Sequence, residues 1–217
     1  MLQKIPAGRF IPQRRKAYEM KARIDMKPGN YLAPVPVTLV SSALQGERPN
    51  ALAIAWNGTV NSKPPMLSIS VSPERYSFHL IKESREFVVN LPDRKLARAL
   101  DYCGVKSGRD TDKFLECKMT PEAMPELDFA PAIKEAPVSL GCKLRQEIPL
   151  GSHELFIGEI VSVRLREELL DAKGALDLRK ADLISYVHGQ YYGIGDWIGF
   201  FGWSVARPSV RKRRRRP

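Results

Sequence analysis

The residue types best suited to hold a flat, anionic ligand fall in one stretch, NALAIAWNGTVNSKPPMLSISVSPERYS, residues 50–77. Asn57, Gly58, Thr59, Asn61 and Ser62 gather amides, hydroxyls and a glycine, and Pro64 and Pro65 close the segment. We read it as an irregular polar loop, too long for a two-residue hairpin, that offers backbone N–H and C=O groups to a planar polar molecule. Farther on, Ser77 is placed as the N-cap of a helix bearing Phe78, Leu80 and Ile81, with Arg75 just ahead of it. Unpaired N–H groups and a guanidinium at a helix start make an anion site. The plainer alternative is a strand, a loop, a strand and a capped helix, in which the serine only caps and Arg75 is only solvated.

A second polar cluster follows in SGRDTDKF, residues 107–114, where Arg109 and Lys113 are both able to face an anion. Its alternative is a solvent loop whose Asp110 and Asp112 neutralise its own Arg and Lys.

The elements that must position these residues are mostly strands. Residues 51–56 are small and apolar, suited to a strand whose backbone is closely approached, and residues 66–72 alternate as a half-buried strand does. Residues 35–42 read as the first core strand, at a strand start or an edge because Pro36 has no N–H to give. EFVVNL, residues 86–91, reads as a buried strand; Pro92 and Asp93 then cap a helix carrying Leu96, Leu100 and Cys103 and ending at Gly104. Residues 116–136, broken by Pro121, Pro125 and Pro131, are expected to be a surface excursion. Residues 138–148 and 154–166 form a long antiparallel pair, and 185–188 a last short strand. YYGIGDWIGFFGWS, residues 191–204, is expected to be core, its glycines admitting Trp197, Phe200, Phe201 and Trp203. Barrel closure, a pocket lining and a dimer interface are its other readings. The pattern implies a mainly β protein, a β-barrel with added helices, and no GxGxxG or P-loop argues for a doubly wound sheet.

A chain of 217 residues is sized for one domain with a sizeable core. Residues 1–24 are read as an N-terminal arm, 25–207 as the domain and 208–217 as a polybasic tail. RKRRRR, residues 211–216, carries six of the eleven net positive charges, so the basicity is largely a property of the tail. Such a tail binds polyanions without sequence preference, or is simply a solvated terminus. Cys103, Cys117 and Cys142 are odd in number, with no CxxC and no histidine at ligand spacing. They indicate reduced core thiols rather than a disulfide framework or a metal site. No stretch reaches the roughly 20 apolar residues of a membrane span, and no signal-like run opens the chain, so a cytoplasmic protein is expected.

Seven segments, PVPVTLVSS (34–42), NALAIAWNGTVNSKPPM (50–66), SVSPERYSFHLI (70–81), FVVNLP (87–92), DYCGVKSGRDTDKF (101–114), GSHELFIGEIVSV (151–163) and GQYYGIG (189–195), carry a resemblance. In order and spacing the chain resembles the flavin reductase-like family of FMN-binding split β-barrels, particularly its flavoredoxin-type branch. The resemblance implies an antiparallel, Greek-key-like split barrel that forms a homodimer, with FMN near the subunit interface. It implies a flavin ring against Ala55, Trp56, Asn57, Gly58, Thr59, Asn61 and Ser62, a phosphate near Arg75, Tyr76 and Ser77, and a further charge from Lys113. Backbone donors along the ring edge would stabilise the negative charge that accumulates there on reduction.

The same resemblance implies hydride from NADH or NADPH and electrons passed to a flavin or a redox-protein acceptor, with His153 on the nicotinamide side for substrate contact or proton delivery. Rate would come from positioning and exclusion of water, so no acid–base dyad is expected. Trp56 departs from the small Ser or Thr of short flavin reductases, which bears on NAD(P)H access. The alternative is therefore a non-enzymatic FMN electron carrier reduced by a partner protein. A third reading is a nucleic-acid or membrane-surface binder working through the tail.

Overall fold

The computed structural model describes residues 22–213, in a chain that divides into two compact units, Met1–Tyr31 and Leu32–Pro217. Most of the expected N-terminal arm and the last four residues of the tail lie outside the described residues. Residues 22–31 have no helix or strand, and the Tyr31 N–H donates to the Gly29 carbonyl at 3.0 Å.

The second unit is antiparallel throughout. Strand β1 (Val35–Pro36) leads into β2 (Thr38–Ser42), which pairs with β3 (Asn50–Ile54). Next come β4 (Asn57–Ser62) and β5 (Pro65–Val71), helix α1 (Tyr76–Ser84) and β6 (Glu86–Leu91). Helices α2 (Ala97–Val105) and α3 (Lys113–Glu116) precede the short β7 (Pro121–Glu122) and β8 (Ala132–Ile133). The long β9 (Val138–Pro149) and β10 (Glu154–Leu165) follow, then β11 (Ile184–Val187), β12 (Gln190–Gly193) and α4 (Pro208–Arg213).

Seven strands form the central sheet in the order β3-β2-β6-β9-β10-β5-β4. Its two edges, β3 and β4, are separated in sequence only by Ala55 and Trp56, and the Ser70 N–H of β5 donates to the Trp56 carbonyl at 2.9 Å. Edges so joined force the sheet to bend back on itself, and the result is a split β-barrel. Strand β1 leaves this sheet to pair with β11 and β12.

Alternation fills the barrel. Leu67, Ile69 and Val71 of β5 point inward with Val40, Ile54, Phe87 and Phe156, all buried. Each such side chain contributes about 1.5–3 kcal/mol of transfer free energy. Gly158 makes room for this packing, since a Cβ there would lie 2.5 Å from the Phe87 ring. A second apolar cluster joins Val37, Leu39 and Ala51 to Leu100, Cys103 and Phe114, which fixes α2 and α3 against β3.

Several expectations are corrected. The segment 57–62 is a strand, not an irregular loop, and it joins β5 through a two-residue turn, Lys63–Pro64, with Ser62 opposite Pro65. Its polar residues belong to an exposed edge strand, and a register shift between Thr59 and Asn61 absorbs Val60 as a bulge. Helix α2 does not end at Gly104; it continues to Val105, and Gly104 is where the helix meets Ala53, with a Cβ there 3.3 Å from the alanine methyl.

Residues 116–136 are not a surface excursion, because Met119, Met124, Ala130, Ala132, Ile133 and Ala136 are buried. The buried Glu86 carboxylate accepts the N–H groups of Asp128 at 3.1 Å and Phe129 at 2.9 Å, which tethers this segment where prolines leave few ladder bonds. Conversely, residues 191–204 are not core: Trp197, Ile198, Phe201 and Trp203 are exposed. Among the described residues no helix is long and apolar enough to cross a membrane, and no cluster of potential metal ligands occurs.

Candidate functional site

Two adjoining clefts open beside the β3–β4 junction, and Leu52, Ser72, Arg75 and His153 line both. The first, ≈ 310 Å³, has small and aromatic walls: Ala53, Ile54, Ala55 and Trp56 from the β3–β4 junction, and Tyr186 and Tyr191 from the small sheet. The second, ≈ 390 Å³, is polar and cationic, with Arg75, Tyr76 and Ser77 on one wall and Lys106, Ser107, Arg109 and Lys113 on the other. Small residues in β3 and the connection after it give the first cleft its floor, because larger side chains would fill it.

Helix α1 begins at the second cleft. Ser77 is not its N-cap: Arg75 holds that position with extended backbone and no side-chain cap, and Ser77 sits in the first turn, fully buried, its hydroxyl accepting from Asn50 Nδ2 at 2.8 Å. The first N–H groups of the helix have no intrahelical carbonyl to meet. Arg75 donates to the Gly104 carbonyl at 3.4 Å, which leans its guanidinium across the cleft toward α2.

Lys113 is the most telling residue here. It is 2% exposed, and its Nζ donates to the carbonyls of Ala51 at 2.8 Å and Cys103 at 2.9 Å. Burial, together with the nearby Arg75 charge, pulls its pKa below the ordinary lysine value. None of the ion pairs among the described residues involves Arg75, Lys106, Arg109 or Lys113. The alternative in which Asp110 and Asp112 neutralise this loop is not what forms: Asp112 instead caps α3 by accepting the Leu115 N–H at 3.1 Å. A cleft lined by four basic side chains against one carboxylate, Glu74, with no ion pair between them, suits an anionic group such as a phosphate.

The loop opposite is drawn in tightly. A Cβ on Gly108 would fall 2.4 Å from Asn50 Oδ1 and 2.6 Å from the Tyr76 ring, so only glycine lets the backbone pass there. Arg109 donates to the Glu74 carbonyl at 2.9 Å and lies over the Tyr76 ring at 5.9 Å.

His153 stands at the junction of the clefts. Its ring packs on Trp56 with centroids 4.7 Å apart and planes at 49°, and Ser152 Oγ lies 3.1 Å from its Nδ1. Gly151, at φ +94°, makes the turn that brings it there.

Of the residues singled out in the sequence, Ala55, Trp56, Arg75, Tyr76, Ser77, Lys113 and His153 come together around these clefts. Asn57, Gly58, Thr59, Asn61 and Ser62 run away from them along the edge strand and are absent from both linings. Asn57 turns its amide to the Ile54 carbonyl at 2.9 Å, and Asn61 to Pro64 at 2.9 Å, so these side chains brace the junction and the hairpin. Asn50 and Tyr186 were not singled out in the sequence, and Tyr191 only within the run 191–204, for which a pocket lining was one reading. Asn50 looks like an ordinary residue ahead of a strand, and the tyrosines reach the cleft only through pairing of β11 with β12. Tyr191 donates to Asp101 Oδ1 at 3.1 Å, and its phenol is pushed up to about 12 by burial and then by that carboxylate.

Residues 31–195 match the family model described as Flavin reductase like domain. Among solved structures, the flavoredoxin of Desulfovibrio vulgaris (Miyazaki F) is 30% identical, with a TM-score of 0.79 over 85% of this chain and 100% of that one. The flavoredoxin from Methanosarcina acetivorans is also 30% identical, with a TM-score of 0.77 over 86% and 100%. An FMN-binding protein from Thermus thermophilus is 26% identical, with a TM-score of 0.67 over 80% and 96%.

Proposed function

The chain belongs to the Flavin reductase like domain family, and from that premise we propose that it is an FMN-binding oxidoreductase that takes hydride from NADH or NADPH and passes electrons to a flavin or redox-protein acceptor. The observation that carries this reading is the pair of joined clefts, one apolar and aromatic, the other dominated by basic side chains, four against the single carboxylate of Glu74. A planar ring with an anionic tail has the same division.

In this reading Arg75, Ser77, Lys113 and the first turn of α1 hold the phosphate, with Tyr76 beside them and Arg109 closing the loop over it. Ala55 and Trp56 lie along the ring. Asn57, Gly58, Thr59, Asn61 and Ser62 contribute through the β4 backbone near its start, or through a second copy in the homodimer that the family suggests. When bound, FMN supplies the hydride-accepting chemistry. The residues of this chain bind it, orient it and keep water from the reacting face, and His153 holds a polar nitrogen near that face.

A second reading, an electron carrier reduced by a partner protein, is favoured by the Trp56–His153 contact at the cleft junction. The relatives named flavoredoxin lend it support. The test is a visible spectrum of the protein after FMN is added and excess removed, followed by anaerobic NADH or NADPH. Retained flavin that bleaches with saturating kinetics supports the reductase; retained flavin that stays oxidised supports the carrier. Loss of all flavin from the folded protein overturns the carrier, and leaves the reductase only as an enzyme that takes FMN as a loosely held substrate.

A further inference from the structure

The three cysteines are free thiols, but their surroundings differ. Cys142 lies in the barrel interior with Phe87 and Phe156, and no other cysteine belongs to that cluster. Cys103, on α2, and Cys117, which ends α3, share the second apolar cluster, and their thiols are hydrogen-bonded to each other. Lys113 holds the two helices in this relation. Its Nζ donates to the Cys103 carbonyl at 2.9 Å and to the Ala51 carbonyl of β3 at 2.8 Å, while its own carbonyl accepts the Cys117 N–H at 3.1 Å. The two sulfurs therefore meet because α2 and α3 are both fixed against β3.

Two thiols alone do not make a metal site, and no cluster of metal-ligating residues occurs among the described residues. What two touching thiols can do is lose two electrons together. Only a small approach separates such a pair from the S–S bonding distance of about 2.05 Å. Their accessibility is unequal: Cys103 is 0% exposed, whereas Cys117 is only partly buried. Burial pushes the Cys103 thiol up to about 12 and raises that of Cys117, and the Lys113 charge pulls both back. Cys117 is thus the sulfur that an oxidant reaches first, with Cys103 behind it to resolve the product.

We propose that Cys103 and Cys117 form a disulfide on exposure to hydrogen peroxide, joining α2 to α3 across the 107–112 loop. The Cys117 thiolate attacks one peroxide oxygen, the O–O bond breaks, and the leaving hydroxide takes a proton to become water. The Cys103 thiol then attacks the Cys117 sulfenic sulfur, the S–S bond forms, and a second water leaves with the Cys103 proton. Two thiols are oxidised and one peroxide is reduced to two waters. The bond lies against the cationic cleft. Arg75 donates to the carbonyl of Gly104 and Lys113 to that of Cys103, so two of the cleft's cations lean on the end of α2 that the bond draws toward α3.

The experiment treats the folded, ligand-free full chain with hydrogen peroxide, blocks the remaining thiols after denaturation, and maps tryptic peptides by mass spectrometry without reductant. Cleavage after Arg98, Lys106, Lys113 and Lys118 separates residues 99–106 from 114–118. These peptides should appear joined and two hydrogens lighter than their sum, and dithiothreitol should part them, while Cys142 is recovered as a blocked thiol. The oxidised chain should melt roughly 5–10 °C above the reduced one. Cys103→Ser should leave a sulfenic acid at Cys117 that dimedone captures, and Cys117→Ser should give neither joined peptides nor a dimedone adduct. The joined peptides are read in the parent, so the result stands whether or not a variant folds. The proposal is overturned if both thiols stay free in peroxide, if Cys117 is oxidised further without joining Cys103, or if the bond links two copies of the chain. The connection to the cleft rests on the flavin reading: the oxidised form should bind FMN about tenfold more weakly, a change of about 1.4 kcal/mol. Equal affinity of the two forms overturns that connection, whereas joined peptides in a protein that binds FMN in neither form overturn the flavin reading and leave the disulfide in place.

Discussion

Trp56 and His153 face each other at the edge of the aromatic cleft, 4.7 Å apart and tilted by 49°. They come from opposite parts of the chain, one from the β3–β4 junction and the other from the β9–β10 turn, and both line the first cleft. A bulky pair at that position restricts what can stack on a ring bound beneath it. With FMN bound, Trp56→Ser is expected to raise the rate of flavin reduction by NADH about tenfold, a change of about 1.4 kcal/mol in barrier. Anaerobic stopped-flow absorbance measures this directly. An unchanged rate would mean that access is not set by Trp56.

The cationic cleft makes a prediction that distinguishes phosphate recognition from ring recognition. Arg75→Ala removes a charge-assisted contact and should weaken FMN about 10- to 100-fold. Riboflavin has the same ring and no phosphate, so its affinity should move much less. Fluorescence titration of both ligands gives the comparison, and equal losses would place Arg75 with the ring instead.

Lys113 sets a pH dependence whose sign follows from its burial. Its pKa is lowered from 10.5, first by burial and also by the Arg75 charge. Between the lowered value and 10.5 the unfolded chain holds a proton that the folded chain has lost, so stability of the ligand-free protein rises with pH through that window. A bound phosphate favours the ammonium, so FMN affinity should fall through the same window and binding should take up a proton. Calorimetry in buffers of different ionisation enthalpy detects the uptake. Lys113→Met should remove the pH dependence, and a flat profile in the parent would show that Lys113 does not meet the anion.

Gly158 tests how closely the barrel is packed. It lies on β10, and a methyl group there would sit 2.5 Å from the Phe87 ring and 3.1 Å from the Cys142 Cβ. Gly158→Ala should therefore destabilise the fold by about 1–3 kcal/mol through overpacking. A urea midpoint equal to that of the parent would show that Phe87 has room to move.

The sequence by itself determined where most strands lie, because alternation in 66–72, the apolar run 86–91, the long run 138–148 and the turn residues between them are local signals. It also located Arg75, Ser77 and Lys113, since a guanidinium, a hydroxyl and an ammonium near helix starts have a chemistry that spacing alone suggests. The roles of these residues were another matter. The Ser77 hydroxyl is buried against Asn50, a partner 27 residues away that no local rule selects. The polar run 57–62 reads as a loop because its side chains are those of loops, but backbone pairing with β5 makes it an edge strand, and an edge tolerates polar residues on both faces. The burial of Met119 and Ile133 and the exposure of Ile198 and Phe201 were likewise decided by tertiary structure. Hydrophobicity states what a side chain gains by leaving water; whether a surface is available to receive it depends on which strands have already paired.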